Sequence, residues 1–245
     1  MAVQIKGYCK YCGKEYTKSG MLRHLQACKD RKLELSNEKI KRGCRYFEIV
    51  ITGKYQKDYW LIIEANENTT LKKLDQFIRD IWVECCGHLS MFTCNGLQYE
   101  SCPDTDIFWG KPSRNMNYRL KDVADIGDTI FYEYDFGSTT ELTLNIHSCR
   151  EGEKGNNKIE ILSRNNPPKI MCSRCEKNEA KWVNPYGYYD GTPFLCEKCL
   201  EAENDSDLDY VLPICNSPRM GVCGYEGSRI YPDQFKSDKE QGQQV

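Results

Sequence analysis

Apolar and polar positions along this chain repeat with two different periods, and the change of period outlines its middle. Arg45–Thr52, Tyr59–Glu64, Leu89–Thr93, Leu97–Tyr99, Thr129–Tyr134, Glu141–His147 and Lys158–Leu162 are short runs with strand-like patterning. The sharpest is Asp128–Gly137: Ile130, Tyr132 and Tyr134 alternate with Thr129, Phe131 and Glu133, and Gly137 can end the run with a positive φ. One stretch breaks the alternation. After Thr70, a suitable N-cap, the residues Leu71, Leu74, Phe77, Ile78, Ile81 and Trp82 fall on one face of a helix. Asn95-Gly96 makes a two-residue hairpin turn, Leu120–Val123 a short helical turn, and Pro103, Gly110 and Pro112 punctuate a loop. The predicted order is β-β-α-β-β-(short helix)-β-β, an α+β domain over residues 44–165. On either side the patterning lapses, and other forces must hold the chain.

Cysteine supplies them. There are 15, an odd number, with no apolar signal core at the N-terminus, and seven stand in groupings of metal-ligand spacing. That usage predicts zinc in a reducing, cytoplasmic setting in preference to a disulfide framework. The first grouping is Cys9-x-x-Cys12, then His24-x-x-x-Cys28. A Cys-x-x-Cys turn puts two thiolates on one knuckle, and a four-residue spacing puts His24 and Cys28 on one helix face. Tyr16 and Met21 supply a small apolar plug. The second is Cys172-x-x-Cys175 with Cys196-x-x-Cys199, two knuckles that make a four-thiolate site. In both sets the protein fills all four tetrahedral positions, which predicts two structural zinc ions and no open position for chemistry.

Charge separates the ends. Residues 1–43 carry 11 Lys+Arg against 4 Asp+Glu, whereas residues 44–150 carry 11 against 16 and residues 151–245 carry 12 against 16. Only the first segment is prepared to meet a polyanion. Its candidate nucleic-acid contacts are Lys14, Lys18, Arg23, Lys29, Arg31 and Lys32, with Lys10, Lys39, Lys41 and Arg42 adding to the field. Residues 30–43 read alternatively as a polar, weakly helical linker. The longest apolar runs, such as Trp60–Ile63, are far too short to span a bilayer.

Four resemblances add to this reading. The first segment resembles the two-Cys/two-His zinc fingers, with Cys28 in place of the second His; by that likeness Thr17, Ser19, Gly20 and Arg23 would face bases. The element order of the middle resembles a β-grasp sheet wrapped on one helix. The blocks Arg45–Ile51, Thr70–Ile81, His88-Leu89-x-x-Phe92, Tyr99, Leu120-Lys121-Asp122 and Tyr132–Gly137 resemble the plasmid pRiA4b ORF-3-like family. That last likeness implies an α+β fold and a link to mobile elements, and no established activity. The chain departs from the family where an acidic residue, Trp and His usually follow Gly137; here Ser138-Thr139-Thr140-Glu141-Leu142 stand. It departs again at Leu74-Asp75, where the family often has Leu-His. The ending Asn216–Tyr225 resembles the one found on longer relatives after a four-cysteine module.

Catalytic motifs are scarce. Asp135-Phe136-Gly137 spells a kinase tripeptide, but the glycine-rich loop, strand lysine and catalytic loop of a kinase are absent from the sequence. Cys86 and His88 stand two apart with nothing nearby in sequence to orient an imidazole, so a structural His88 is the simpler reading. Cys85, Cys86, Cys94, Cys102 and Cys149 read as small apolar or incidental thiols; a third metal site joining some of them to His147 has no support from spacing. Cys215 and Cys223 read as packing residues, and the acidic pairs Asp104/Asp106 and Asp122/Asp125 as loop and cap residues. The expected organisation is a basic zinc-finger-like segment (1–43), an α+β domain (44–165), a four-cysteine module with a Pro/Gly loop (166–235) and a disordered tail (236–245). The expected function is a non-enzymatic zinc-binding adaptor or regulatory protein touching DNA or RNA weakly, with a protein partner at an exposed sheet edge as the alternative. A nucleic-acid-processing enzyme is the least favoured reading, and no small-molecule substrate is indicated.

Overall fold

The computed structural model describes residues 4–38, 43–103, 113–153, 155, 158–189, 191–202 and 210–241. Lys39, Lys41, Arg42, Asp104, Asp106, Gly110 and Pro112 lie outside the described residues. The chain forms two compact units. One comprises residues 1–78, 89–166 and 235–245; the other comprises residues 79–88 and 167–234. No helix among the described residues is long and apolar enough to cross a membrane.

The first unit opens as a ββα finger: β1 (Lys6–Tyr8), β2 (Glu15–Thr17) and α1 (Lys18–Ala27). The Thr17 hydroxyl caps α1 by accepting from the Gly20 amide, so its side chain is committed to the helix start. A second helix, α2 (Lys29–Ser36), forms where the sequence suggested a linker.

The sheet follows: β3 (Gly43–Gly53), β4 (Trp60–Asn66), β5 (Ser90–Cys94), β6 (Leu97–Glu100), β7 (Arg114–Asn115), β8 (Thr129–Tyr134), β9 (Thr140–Glu153) and β10 (Glu160–Arg164). Their order across the sheet is β10-β4-β3-β9-β8-β5-β6-β7. The helix α3 (Leu71–Ile78) follows β4, and the short α4 (Leu120–Val123) precedes β8. The architecture is mixed α+β and mostly sheet. The finer likeness to a β-grasp finds no support in its centre, because β3 and β9 pair antiparallel where a β-grasp has a parallel pair.

The seven predicted strand runs all have counterparts, with edges moved by a few residues. The largest change is β9, which continues to Glu153 through a bulge: Glu48 opposes Ser148 and Ile49 opposes Ile146, leaving His147 as the extra, exposed residue. The predicted helix through Trp82 divides. Helical hydrogen bonding is regular over α3 and becomes a π-turn over Arg79–Val83, which belongs to the second unit. Asp75 on α3 is buried and accepts from the hydroxyls of Ser90 (2.7 Å) and Tyr132 (2.8 Å), tying the helix to β5 and β8. Asp135 ends β8 at a φ of 65°, its carboxylate accepting from the Gly137 amide.

The alternation of β3 and β4 gives the sheet two buried faces. Phe47, Ile49, Ile51, Leu61, Ile63 and Ala65 point one way; Glu48, Val50, Glu64, Ile62 and Trp60 point the other. The finger covers the second face. Cys9, Tyr11, Met21, Leu25 and Cys28 pack with Val50, Trp60, Ile62 and Leu162 in one apolar cluster. The finger also closes the β10 edge: the Lys10 amide donates to the Leu162 carbonyl, the Asn166 amide to Lys6, and Gly7 bridges Asn165. Gly7 is required there, because a Cβ would stand 2.1 Å from the Arg164 carbonyl oxygen. One of the two edges of the sheet, that of β10, is thus occupied by the chain itself.

The second unit carries three two-residue strands, β11 (Trp182–Val183), β12 (Phe194–Leu195) and β13 (Leu212–Pro213), in the order β12-β11-β13, and a short α5 (Glu197–Glu201). Residues 236–241, expected as part of a disordered tail, belong to the first unit, as does Phe235. There α6 (Asp238–Gln241) forms, the Asp238 amide donates to the Lys10 carbonyl, and Lys239 pairs with Asp30 at 2.7 Å.

Candidate metal centres

In the finger, a tight turn places the first knuckle. The Gly13 amide donates to the Cys9 carbonyl, the Cys9 amide to Lys14, and Gly13 takes a φ of 70°. The last turn of α1 presents His24, and Cys28 stands where α1 ends and α2 begins. The donor atoms of Cys9, Cys12, His24 and Cys28 all lie within 4.8 Å of one another, with Cys12 Sγ 3.2 Å from His24 Nε2. Tyr16 stacks on the imidazole at 4.3 Å between ring centres and fixes its plane. Burial pushes the Cys9 thiol up to about 12, despite backbone hydrogen bonds from Cys12 and Tyr11, and burial lowers His24, favouring a neutral imidazole. Zinc ligation needs the thiolate, so an ion bound here would displace the Cys9 proton.

The second centre sits in the other unit. Cys172, Cys175, Cys196 and Cys199 bring their sulfurs within 4.8 Å of one another, and Cys175 Sγ lies 3.9 Å from Cys196 Sγ. That separation matches the edge of about 3.8 Å in a tetrahedron with zinc–sulfur bonds of about 2.3 Å. The Asn178 amide group approaches both Cys196 Sγ (3.6 Å) and Cys175 Sγ (3.9 Å). Burial raises the Cys172 thiol, but backbone hydrogen bonds from Cys175, Cys196 and Arg174 outweigh it and bring the group down to about 6. Cys199 goes the other way, pushed up to about 12 by desolvation and by its neighbouring thiols.

A third group was not legible in the spacing. Cys85, Cys86, His88 and Cys223 bring their donor atoms within 4.8 Å of one another, all inside the second unit. Cys86 and His88, read as incidental and structural, are members, and so is Cys223, read as packing. His147 is not: it sits exposed at the β9 bulge. Cys94 and Cys215 are buried, Cys44 accepts from the Asn66 side chain at 2.9 Å, and Cys102 is exposed; none of these belongs to a metal group among the described residues.

The basic residues of the finger divide sharply. Lys14, Arg23, Lys29 and Lys32 are exposed and Lys18 is half-buried. Arg31 is not available to a phosphate, and its assignment as a nucleic-acid contact is corrected. It is only 6% exposed. One guanidinium nitrogen donates to Glu48 at 3.0 Å and to the Leu25 carbonyl at 3.2 Å; the other donates to Glu64 at 3.0 Å. Glu48 and Glu64 face each other across β3 and β4, so Arg31 neutralises two adjacent buried carboxylates, helped by Arg150, which donates to Glu64 and Glu38. Lys10 is likewise engaged, 3.1 Å from Glu160.

No curated protein matches the chain. Among solved structures, it is similar to a protein of unknown function, MM3350, from Methanosarcina mazei Go1. That match has 18% identity and a TM-score of 0.42, and covers 49% of this chain and 70% of the other. The family model of the plasmid pRiA4b ORF-3-like protein matches residues 47–169, from β3 through β10. The strand and helix blocks that carry the sequence resemblance lie within that span except for Arg45 and Tyr46, and the chain belongs to the plasmid pRiA4b ORF-3-like family.

Proposed function

We propose that this is a cytoplasmic, non-enzymatic zinc-binding adaptor or regulatory protein, associated with mobile elements, that makes weak, sequence-independent contact with nucleic acid through its finger. The observation that carries the zinc part is the closure of the two predicted cysteine groups. Each offers four protein donors to one ion, so a bound zinc organises the fold and holds no water for catalysis. The nucleic-acid part is supported by the exposed Lys14, Arg23, Lys29 and Lys32, with Lys18 partly accessible. A contact set of this size gives binding that falls steeply with salt. Titration of the zinc-loaded chain with random single- and double-stranded DNA and RNA at rising salt tests it. Binding at low salt that disappears when Lys14, Arg23, Lys29 and Lys32 are changed to Glu is expected. Absence of binding at low salt, or binding indifferent to those changes, refutes it.

A specific observation favours a second reading, a protein-docking role. Tyr186, Tyr188, Tyr189 and Tyr210 in the second unit are all more than half exposed, and Tyr186 and Tyr210 meet edge to face at 6.0 Å. Exposed tyrosines of this kind are enriched at protein interfaces. Affinity capture with the intact chain and with a Tyr186→Ser, Tyr189→Ser, Tyr210→Ser variant separates the readings: a partner lost only with the tyrosine variant favours docking.

A further inference from the structure

We propose that Cys85, Cys86, His88 and Cys223 form a third zinc centre, of three-sulfur, one-nitrogen type, that clamps the segment 79–88 to the C-terminal loop of the same unit and faces solvent. The distances suit the ion. Cys86 Sγ lies 3.7 Å from Cys85 Sγ and 3.9 Å from Cys223 Sγ. These bracket the edge of about 3.8 Å between sulfurs around tetrahedral zinc. His88 Nε2 lies 3.0 Å from Cys86 Sγ and 3.2 Å from Cys223 Sγ. Those edges are a few tenths shorter than the roughly 3.5 Å of a filled sulfur–nitrogen edge, so ion entry spreads the ligands slightly. None of these cysteines is in a disulfide, leaving three thiols and one imidazole to converge.

The backbone is shaped for this convergence. Gly87 has a φ of 81° with nothing within 4 Å of where a Cβ would stand, so glycine is there for the turn and not for space. That turn folds Cys86 and His88 toward a common point. Cys223 itself has a φ of 50°, a conformation uncommon outside glycine.

Supporting contacts stand behind the ligands. Arg219 is fully buried and donates to Cys85 Sγ at 3.5 Å, a cationic partner suited to a thiolate. The Ser217 hydroxyl donates to the Trp82 carbonyl at 2.6 Å, and the Ser228 hydroxyl to Asp80 at 2.5 Å. These bonds hold the two stretches that carry the ligands together without the ion. Four protein ligands close the coordination shell, so the centre is a clamp and not a Lewis acid. It differs from the other two in burial. Cys9, Cys28, Cys172 and Cys196 are buried, whereas Cys86 and Cys223 are exposed and Cys85 and His88 only half-covered. The third ion is therefore the one a chelator reaches first.

Metal analysis of the full chain, purified with zinc, tests this inference separately from the binding role. The intact protein is expected to hold about three zinc ions per chain, one for each closed four-ligand group. A Cys86→Ser, Cys223→Ser variant should hold one fewer. In a graded chelator titration the intact protein should release one equivalent ahead of the rest, and the variant should lack that early step. Both changed residues are exposed, so folding should survive, with circular dichroism as the check. His88→Ala, which leaves every thiol in place, is the second variant and should also lose one equivalent. Two zinc ions in the intact chain, or three in the chain and in both variants, overturns the proposal.

Discussion

The two knuckle-based centres look alike in sequence and hold different kinds of structure together. The N-terminal centre sits in a finger whose apolar plug is shared with the main sheet. Met21 and Leu25 pack on Val50, Trp60 and Ile62, and the backbone of residues 6–10 closes the β10 edge. The four-cysteine centre stands among three strands of two residues each, where little regular structure exists to maintain a fold. A metal ion at the first group would therefore support a sheet lying beyond its own loop, whereas one at the second would hold together a unit with little regular structure. A Cys-x-x-Cys pair announces a metal, but burial and neighbouring strands decide how far its stabilisation reaches.

Cys9→Ser with Cys12→Ser removes the first ion, and structural zinc contributes about 10–16 kcal/mol to the folding of a finger. The whole first unit should then melt earlier in calorimetry, because the finger-facing side of β3 and β4 loses its cover. Cys172→Ser with Cys175→Ser should leave that transition in place and abolish only the one belonging to the second unit.

Next in size is the ion network under α2. Arg31→Met leaves Glu48 and Glu64 facing each other in a buried site, and breaking a buried pair this way costs about 3–5 kcal/mol in urea unfolding. Arg31→Lys should recover part of that loss, since one ammonium replaces a fork that reaches both carboxylates. Met21→Ala, at a fully buried position of the shared cluster, should cost about 2–5 kcal/mol by the same measurement. The smallest effect is at the surface. Changing Lys14, Arg23, Lys29 or Lys32 singly to Glu should alter stability by no more than about 0.5 kcal/mol, while lowering any affinity for nucleic acid.

What could be read from the sequence was what local spacing encodes. Period-two runs marked the strands to within a few residues at most edges, and the two knuckle sets marked residues that the fold brings together. Three things needed long-range information. Arg31 looked like its exposed neighbours because nothing local shows that Glu48 and Glu64 come into register opposite it. The third metal group joins Cys85, Cys86 and His88 to Cys223, far along the chain, so no motif announces it; the adjacent thiols beside Gly87 were the only local hint. The boundary after residue 78 was hidden too. The apolar face of α3 runs on through Ile81 and Trp82, and periodicity cannot show that the helix changes its hydrogen bonding and its unit there.

Metal at the N-terminal group is expected to maintain the main sheet and not the finger alone. Hydrogen exchange of the intact chain against the Cys9→Ser, Cys12→Ser variant tests it most directly. Faster exchange is predicted across residues 6–28 and also across β4 and β10, at 60–66 and 160–164, with the four-cysteine region 172–199 unchanged. Faster exchange confined to residues 6–28, with β4 and β10 as protected as before, would contradict it.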